Sequence, residues 1–228
     1  MAVDDSANVS DAAQDSTVRV YKRDFWIKEN QKHIPPHYRL RKAARIISAI
    51  AGDRECDLLD VGCGPATLGR LLPENIHYHG IDIAIHRPAP NLIETDFVEN
   101  PIAFRDKRFD IITAQGVFEY VGESQDQKFS EIARLLNEGG TFFLSYTNFG
   151  HRDKRIYEPF SNVRSFDDFR RSLARYFSVD RCFPASHNWH GGQPTRTLLT
   201  AANMHVNANI PVISPRLAVE YFFVCSRR

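Results

Sequence analysis

The stretch Leu58-Leu59-Asp60-Val61-Gly62-Cys63-Gly64-Pro65-Ala66-Thr67-Leu68-Gly69 decides the fold. Leu58, Leu59 and Val61 form a short continuous apolar run, the pattern of a parallel strand buried on both faces. Gly62 and Gly64 then remove the Cβ atoms, so the chain can turn sharply and let a ligand come close. Pro65 suits the first turn of a helix, where its missing N–H has no partner to lose. The pattern therefore predicts a strand, a glycine turn and a helix over roughly 65–72. In open α/β sheets ligands bind in the crevice at the carboxyl end of such a strand.

The residues around the turn select the ligand. A dinucleotide fingerprint needs a third glycine three positions after the second, and that position is Thr67. Asp60, just before the turn, would repel phosphate oxygens, whereas an amino or sulfonium cation suits it. In this respect the chain resembles the class I S-adenosylmethionine-dependent methyltransferases. Their first motif, D-V-G-C-G-x-G/A-x-x-G, is similar to Asp60 through Gly69, with Pro65 and Ala66 after the second glycine. The resemblance implies S-adenosyl-L-methionine as cofactor, with Asp60, Gly62, Cys63 and Gly64 lining its site.

Bulk properties set the frame. The 228 residues suffice for one α/β domain with a substantial core. A net charge of +1 disfavours a dedicated nucleic-acid binder, which carries a basic excess. No apolar run is long enough to span a bilayer, and the N-terminus lacks the apolar centre of a signal peptide. Cys56, Cys63, Cys182 and Cys225 are widely spaced and read as reduced thiols, which makes the cytoplasm the expected location. Oligomeric state is not legible.

Residues 1–18 are poor in large apolar side chains and read as a disordered tail. Residues 19–53 read as an N-terminal helical cap, with aromatics from Tyr21 to Trp26 and helical spacing from His37 to Ile50. In the resembled family such a segment lies over the cofactor, where Tyr21 or Trp26 would cover it; plain packing on the sheet is the alternative. The methyltransferase domain is expected over 54–228. A second strand, His77 to Ile83, ends in Asp82 with Ile83 beside it, twenty positions after Gly62. Nucleoside-binding α/β folds place a carboxylate there because its two oxygens match the vicinal diol of ribose.

Asn91 to Phe97 reads as a third strand, and the resemblance implies that Asp96 and Phe97 read the adenine ring; a turn cap is the bland alternative for Asp96. Phe109 to Ala114 reads as a fourth strand. The resemblance implies that the segment after it, from Gln115 and Gly116 to Val121, lines the cleft between cofactor and acceptor. It lacks the Asn/Asp-Pro-Pro-Tyr of methyltransferases acting on adenine or glutamine. It also lacks the acidic metal ligands of catechol-type enzymes.

An amphipathic helix over 123–136, a Gly139-Gly140 turn and a fifth strand over 141–147 follow. Phe166 to Tyr176 reads as a helix opened by a partial capping box, Ser165 with Asp168. Strands follow at 177–183 and 218–225. The expected fold is a Rossmann-like doubly wound sheet of about seven strands with helices on both faces, and the resemblance implies that the last strand is antiparallel.

Residues 184–217, with Trp189 and three histidines, are long for a connection and read as a substrate-facing insertion. A hydroxyl acceptor needs a base, and His151, His187 and His190 are the candidates, with Glu119 a further one. His187-x-x-His190 lacks a third ligand, so no metal is expected. The leading reading is methyl transfer to a hydroxyl of a sugar-like, lipid-like or secondary-metabolite small molecule. A nicotinamide-dependent oxidoreductase and a non-catalytic S-adenosylmethionine-binding module remain open alternatives.

Overall fold

A computed structural model describes residues 22–104, 106–148, 164–186, 218 and 220–228. Seven strands form one sheet: β1 (Cys56–Val61), β2 (Ile76–Asp82), β3 (Leu92–Glu94), β4 (Phe109–Gln115), β5 (Leu136–Thr147), β6 (Phe177–Ser186) and β7 (Glu220–Arg227). Their order is β3-β2-β1-β4-β5-β7-β6. The first five run parallel, and β7 lies antiparallel between β5 and β6. The helices are α1 (Arg23–Asn30), α2 (Tyr38–Ala51), α3 (Gln125–Leu135) and α4 (Phe166–Tyr176).

Strand alternation divides the core into two layers. Leu58, Ile111, Phe143 and Phe222 point to one face, where Ala43, Ile47 and Ala51 of α2 cover them. Leu59, Val61, Ile112, Phe142, Leu144 and Phe223 point to the other, against Phe129 and Ile132 of α3 and Phe169 and Leu173 of α4. The expected sheet with helices on both faces is present. Its strand order reverses between β1 and β4, which opens the ligand crevice outside their carboxyl ends.

Several local expectations are corrected. The helix expected over 65–72 is a turn closed by a short 3-10 segment, Gly69–Leu71. Gly64 (φ 53°) and Ala66 (φ 52°) flank Pro65 in the left-handed region, which breaks the helical run. The third strand stops at Glu94, so Asp96 and Phe97 lie in the turn beyond it. No turn separates α3 from β5: the strand starts at Leu136, and Asn137 to Gly140 form a bulge within it, with Gly139 at φ 73°. Helix α4 starts as expected, with Ser165 Oγ accepting from Asp168 N at 3.2 Å. The tail at 1–18, Tyr21, His151, His187, His190 and most of the 184–217 insertion lie outside the described residues.

Candidate cofactor and acceptor site

The glycine turn is stitched to the end of β2. Gly62 N and Cys63 N both donate to Ile81 O, at 2.8 and 3.0 Å. Gly64 N donates to Asp82 Oδ2 at 2.8 Å, and Ala84 N to Asp82 Oδ1 at 2.8 Å. Gly62 has φ 73°, and a Cβ there would come within 2.5 Å of Val117 Cγ2, so only glycine fits. This contact sets the loop after β4 directly against the turn after β1.

The same bonding tests the ligand. Gly62, Cys63 and Gly64 spend their N–H groups inside the protein, Ala66 N donates to Cys63 O, and Pro65 has none to offer. A pyrophosphate would find these four turn positions already engaged or without an N–H. The site offers acceptors instead: the Asp60 and Asp82 carboxylates and Gln115 Oε1, a buried atom without a partner. A cationic amino group, a diol and a sulfonium are what such an acceptor-rich rim fits. S-adenosylmethionine carries all three and no phosphate.

Asp82 is buried, and burial holds its carboxyl above the ordinary range against the lowering effect of the Ala84, Gly64 and Asn30 hydrogen bonds. Asn30 of α1 donates to Asp82 Oδ1 at 3.3 Å and to Ala84 O at 3.2 Å. Ile83 follows, half-buried. Thr95 N donates to Asp82 O at 2.8 Å, which brings the turn holding Asp96 and buried Phe97 beside the end of β2. Asp96 Oδ1 accepts from Val98 N at 3.0 Å, a turn-capping bond. Asp60 faces the α2 side, where the Tyr78 hydroxyl donates to it at 2.7 Å. Burial pushes its carboxyl up to about 7, against the Tyr78 bond and with help from Asp82. Cys63 Sγ is buried against Gly80, and the same burial raises its thiol.

At the end of β4, Gln115 Nε2 donates to Thr113 Oγ1 (2.8 Å) and Phe143 O (3.2 Å). Gly116 has φ 73°, and a Cβ there would meet the Arg39 guanidinium at 2.9 Å. Asp60, Gly62, Cys63, Gly64, Asp82, Ile83, Asp96, Phe97, Gln115 and Gly116 thus gather along the carboxyl ends of β1 to β4.

Beyond them, at the ends of β5 and β7, stands a charged group that sequence reading largely missed. Arg39 Nη1 pairs with Glu220 Oε1 at 2.7 Å, and Ser145 Oγ donates to the same oxygen at 2.8 Å. Glu119 Oε1 accepts from Thr147 N (2.9 Å) and Thr147 Oγ1 (2.8 Å). Two signals pointed there. Glu220 is a lone carboxylate in the apolar run Ala218 to Cys225, and Arg39 shares the helix face of Ala43 and Ile46.

Comparison with known proteins agrees with this architecture. The family model described as a methyltransferase domain matches residues 36–187. The malonyl-[acyl-carrier protein] O-methyltransferase of Calditerrivibrio nitroreducens is 26% identical over 169 residues, covering 67% of each chain. The methyltransferase complexed with the Haloferax volcanii Trm112 activator superposes with a TM-score of 0.64 at 17% identity, over 90% of this chain and 96% of its own. A TehB-like S-adenosylmethionine-dependent methyltransferase of Corynebacterium glutamicum gives 0.56 at 14% identity, over 96% and 100%. The two structural likenesses speak for the fold; the family match, over 36–187 of 228 residues, sets the nicotinamide-dependent alternative aside. The chain belongs to the methyltransferase-domain family and is a class I S-adenosylmethionine-dependent methyltransferase.

Proposed function

We propose that this enzyme transfers the methyl group of S-adenosylmethionine to a hydroxyl oxygen of a sugar-like, lipid-like or secondary-metabolite small molecule. The observation that carries the reading is the buried Asp82 carboxylate, fixed by Gly64 N and Ala84 N at the end of β2, beside a turn whose Gly62, Cys63 and Gly64 N–H groups are already bonded within the protein. Asp82 and Ile83 take the ribose, Asp96 and Phe97 the adenine, and Asp60, Gly62, Cys63 and Gly64 the cationic end. Gln115 and Gly116 border the reacting centre. Oxygen as the accepting atom is supported by the Calditerrivibrio relative, which is named an O-methyltransferase. The near-zero net charge favours a small molecule over a nucleic acid.

Once bound, the cofactor supplies an activated methyl group. The chain's own tasks are alignment and proton handling, and alignment alone can account for roughly 7–11 kcal/mol of the barrier. The test is incubation with methyl-labelled cofactor and a fractionated metabolite extract, followed by mass spectrometry of the labelled products. In parallel, Asp82→Ala removes charge-assisted hydrogen bonds and is expected to weaken S-adenosylmethionine binding by about 10- to 100-fold. Unchanged affinity in calorimetry would mean that the ribose is held elsewhere.

A further inference from the structure

The ends of β4, β5 and β7 hold polar atoms that the protein itself does not satisfy. Glu119 is 2% exposed; its Oε1 is doubly bonded by Thr147, but its Oε2 is buried with no hydrogen-bond partner. Arg39 Nε is likewise buried and unpartnered, although the two terminal nitrogens of that guanidinium bond Glu220 Oε1 and Gln115 O. Buried polar atoms are nearly always paired, and an orphan asks for an occupant. One of these orphans donates and the other accepts. A hydroxyl has the chemistry both call for, an oxygen to accept from an N–H such as Arg39 Nε and a proton to give to a carboxylate oxygen such as Glu119 Oε2. A carboxylate could satisfy Arg39 but would set its negative charge against Glu119.

We propose that Glu119 is the general base of this enzyme and that Arg39 and Glu119 together select an alcohol as acceptor, giving a methyl ether rather than a methyl ester. This rests on the functional reading above and names the acceptor class of that same site. As the oxygen–methyl bond forms, the methyl–sulfur bond breaks with its electron pair staying on sulfur. The hydroxyl proton passes to Glu119 Oε2 and from there to solvent. Thr147 fixes the other carboxylate oxygen, so the free one is held in a single orientation.

The electrostatics hold this carboxyl above the ordinary carboxylate range. Burial raises the Glu119 carboxyl, and Glu220 of β7 raises it further, while the residue's own backbone N–H, the Thr147 hydrogen bond and Arg39 of α2 lower it. Tyr146 of β5 is the other titratable group coupled to it. A base whose pKa approaches the working pH is the efficient one. The rate should therefore rise with pH through a limb above the ordinary carboxylate range.

The test uses the full chain with methyl-labelled S-adenosylmethionine and a hydroxyl-rich metabolite extract. Mild alkali separates the products: methyl esters release volatile methanol, and ethers keep the label. Glu119→Gln retains an acceptor for Thr147, so S-adenosylhomocysteine affinity by calorimetry should stay within about twofold while the rate falls on the order of a hundredfold or more. The acidic limb of the pH profile, read at saturating S-adenosylmethionine so that Asp60 does not contribute, should vanish with it. Alkali-stable label together with these losses supports the assignment. Label released as methanol, or a Glu119→Gln variant with wild-type rate and pH profile, overturns it and leaves the methyltransferase reading intact. No transfer by the wild-type chain to any fraction overturns that reading, and this assignment with it. Should Glu119→Gln fail to fold, Glu119→Asp settles the question: a slower rate with the limb kept supports the base, and an unchanged rate overturns it.

Discussion

Among the described residues no cation pairs with Asp60, a carboxylate buried at the end of β1 and held by one phenol hydroxyl from Tyr78. With its carboxyl pushed up to about 7, it is half-ionised near neutral pH. A cationic ligand favours the ionised form, so binding and deprotonation are linked. S-adenosylmethionine affinity is expected to rise as pH is raised from 6 to 8, by roughly threefold to tenfold, and to flatten above that. Asp60→Asn should bind more weakly at pH 8 and lose this slope, which calorimetry at several pH values would read. A slope that survives the substitution would assign the titration to another group. Asp60 and Asp82 were legible in the sequence because each sits at the end of an apolar run within a recognisable local pattern. The Arg39–Glu220 pair was not, because its members are 181 positions apart and only the sheet order brings them together.

Among the elements, the polar part of the contact between α3 and α4 centres on one side chain, beside the packing of Phe129 on Phe169. Asp126, in the first turn of α3, accepts from Arg164 Nη2 (2.9 Å), Arg175 Nη2 (2.7 Å) and the Ser172 hydroxyl. These bonds, the Arg164 one foremost, hold its carboxyl well below the usual range. A depressed carboxyl contributes stability that is present above its unfolded pKa and is lost as pH falls through the folded one. Asp126→Asn should cost about 1–2 kcal/mol at pH 7. The gap between wild type and variant should shrink as urea midpoints are followed from pH 6 to pH 2.5. A constant gap would mean that Asp126 acts through packing alone. Helix α4 was readable from its cap because Ser165 and Asp168 are three residues apart and act locally. The turn after β1 was misread as a helix because nothing in its apolar spacing announces that Ala66 adopts a left-handed backbone. The bulge in β5 escaped for a similar reason: its glycines read as a break, whereas the strand continues through them.

For the whole molecule, alternation of strand and helix signals was enough to expect the doubly wound sheet, since parallel neighbours require crossovers of one hand. It could not show how the segment before α2 crosses the rim of that sheet. Arg23 pairs with Glu94 at the end of β3 (2.6 Å), and Asn30 reaches Asp82 at the end of β2. Trp26 meets Tyr120, beyond β4, edge-on at 4.9 Å. The chain then passes the glycine turn, where Thr67 Oγ1 donates to His33 O (2.7 Å) and Arg70 Nη2 to Ile34 O (3.1 Å). The strap thus touches the ends of three strands and the turn that the proposed pocket uses. Among the described residues, no buried core residue precedes Ala43 in either apolar layer, so the strap contributes little to folding. A chain beginning at Pro35 is therefore expected to melt within a few degrees of the full-length protein. Its hold on S-adenosylhomocysteine should nevertheless weaken by roughly tenfold or more, since Asp82 loses one of its three donors and the pocket its cover. Because a cover acts after the ligand has entered, stopped-flow measurement should place that loss mainly in faster dissociation. Equal dissociation rates for the two chains would mean that the strap packs beside the pocket without sealing it.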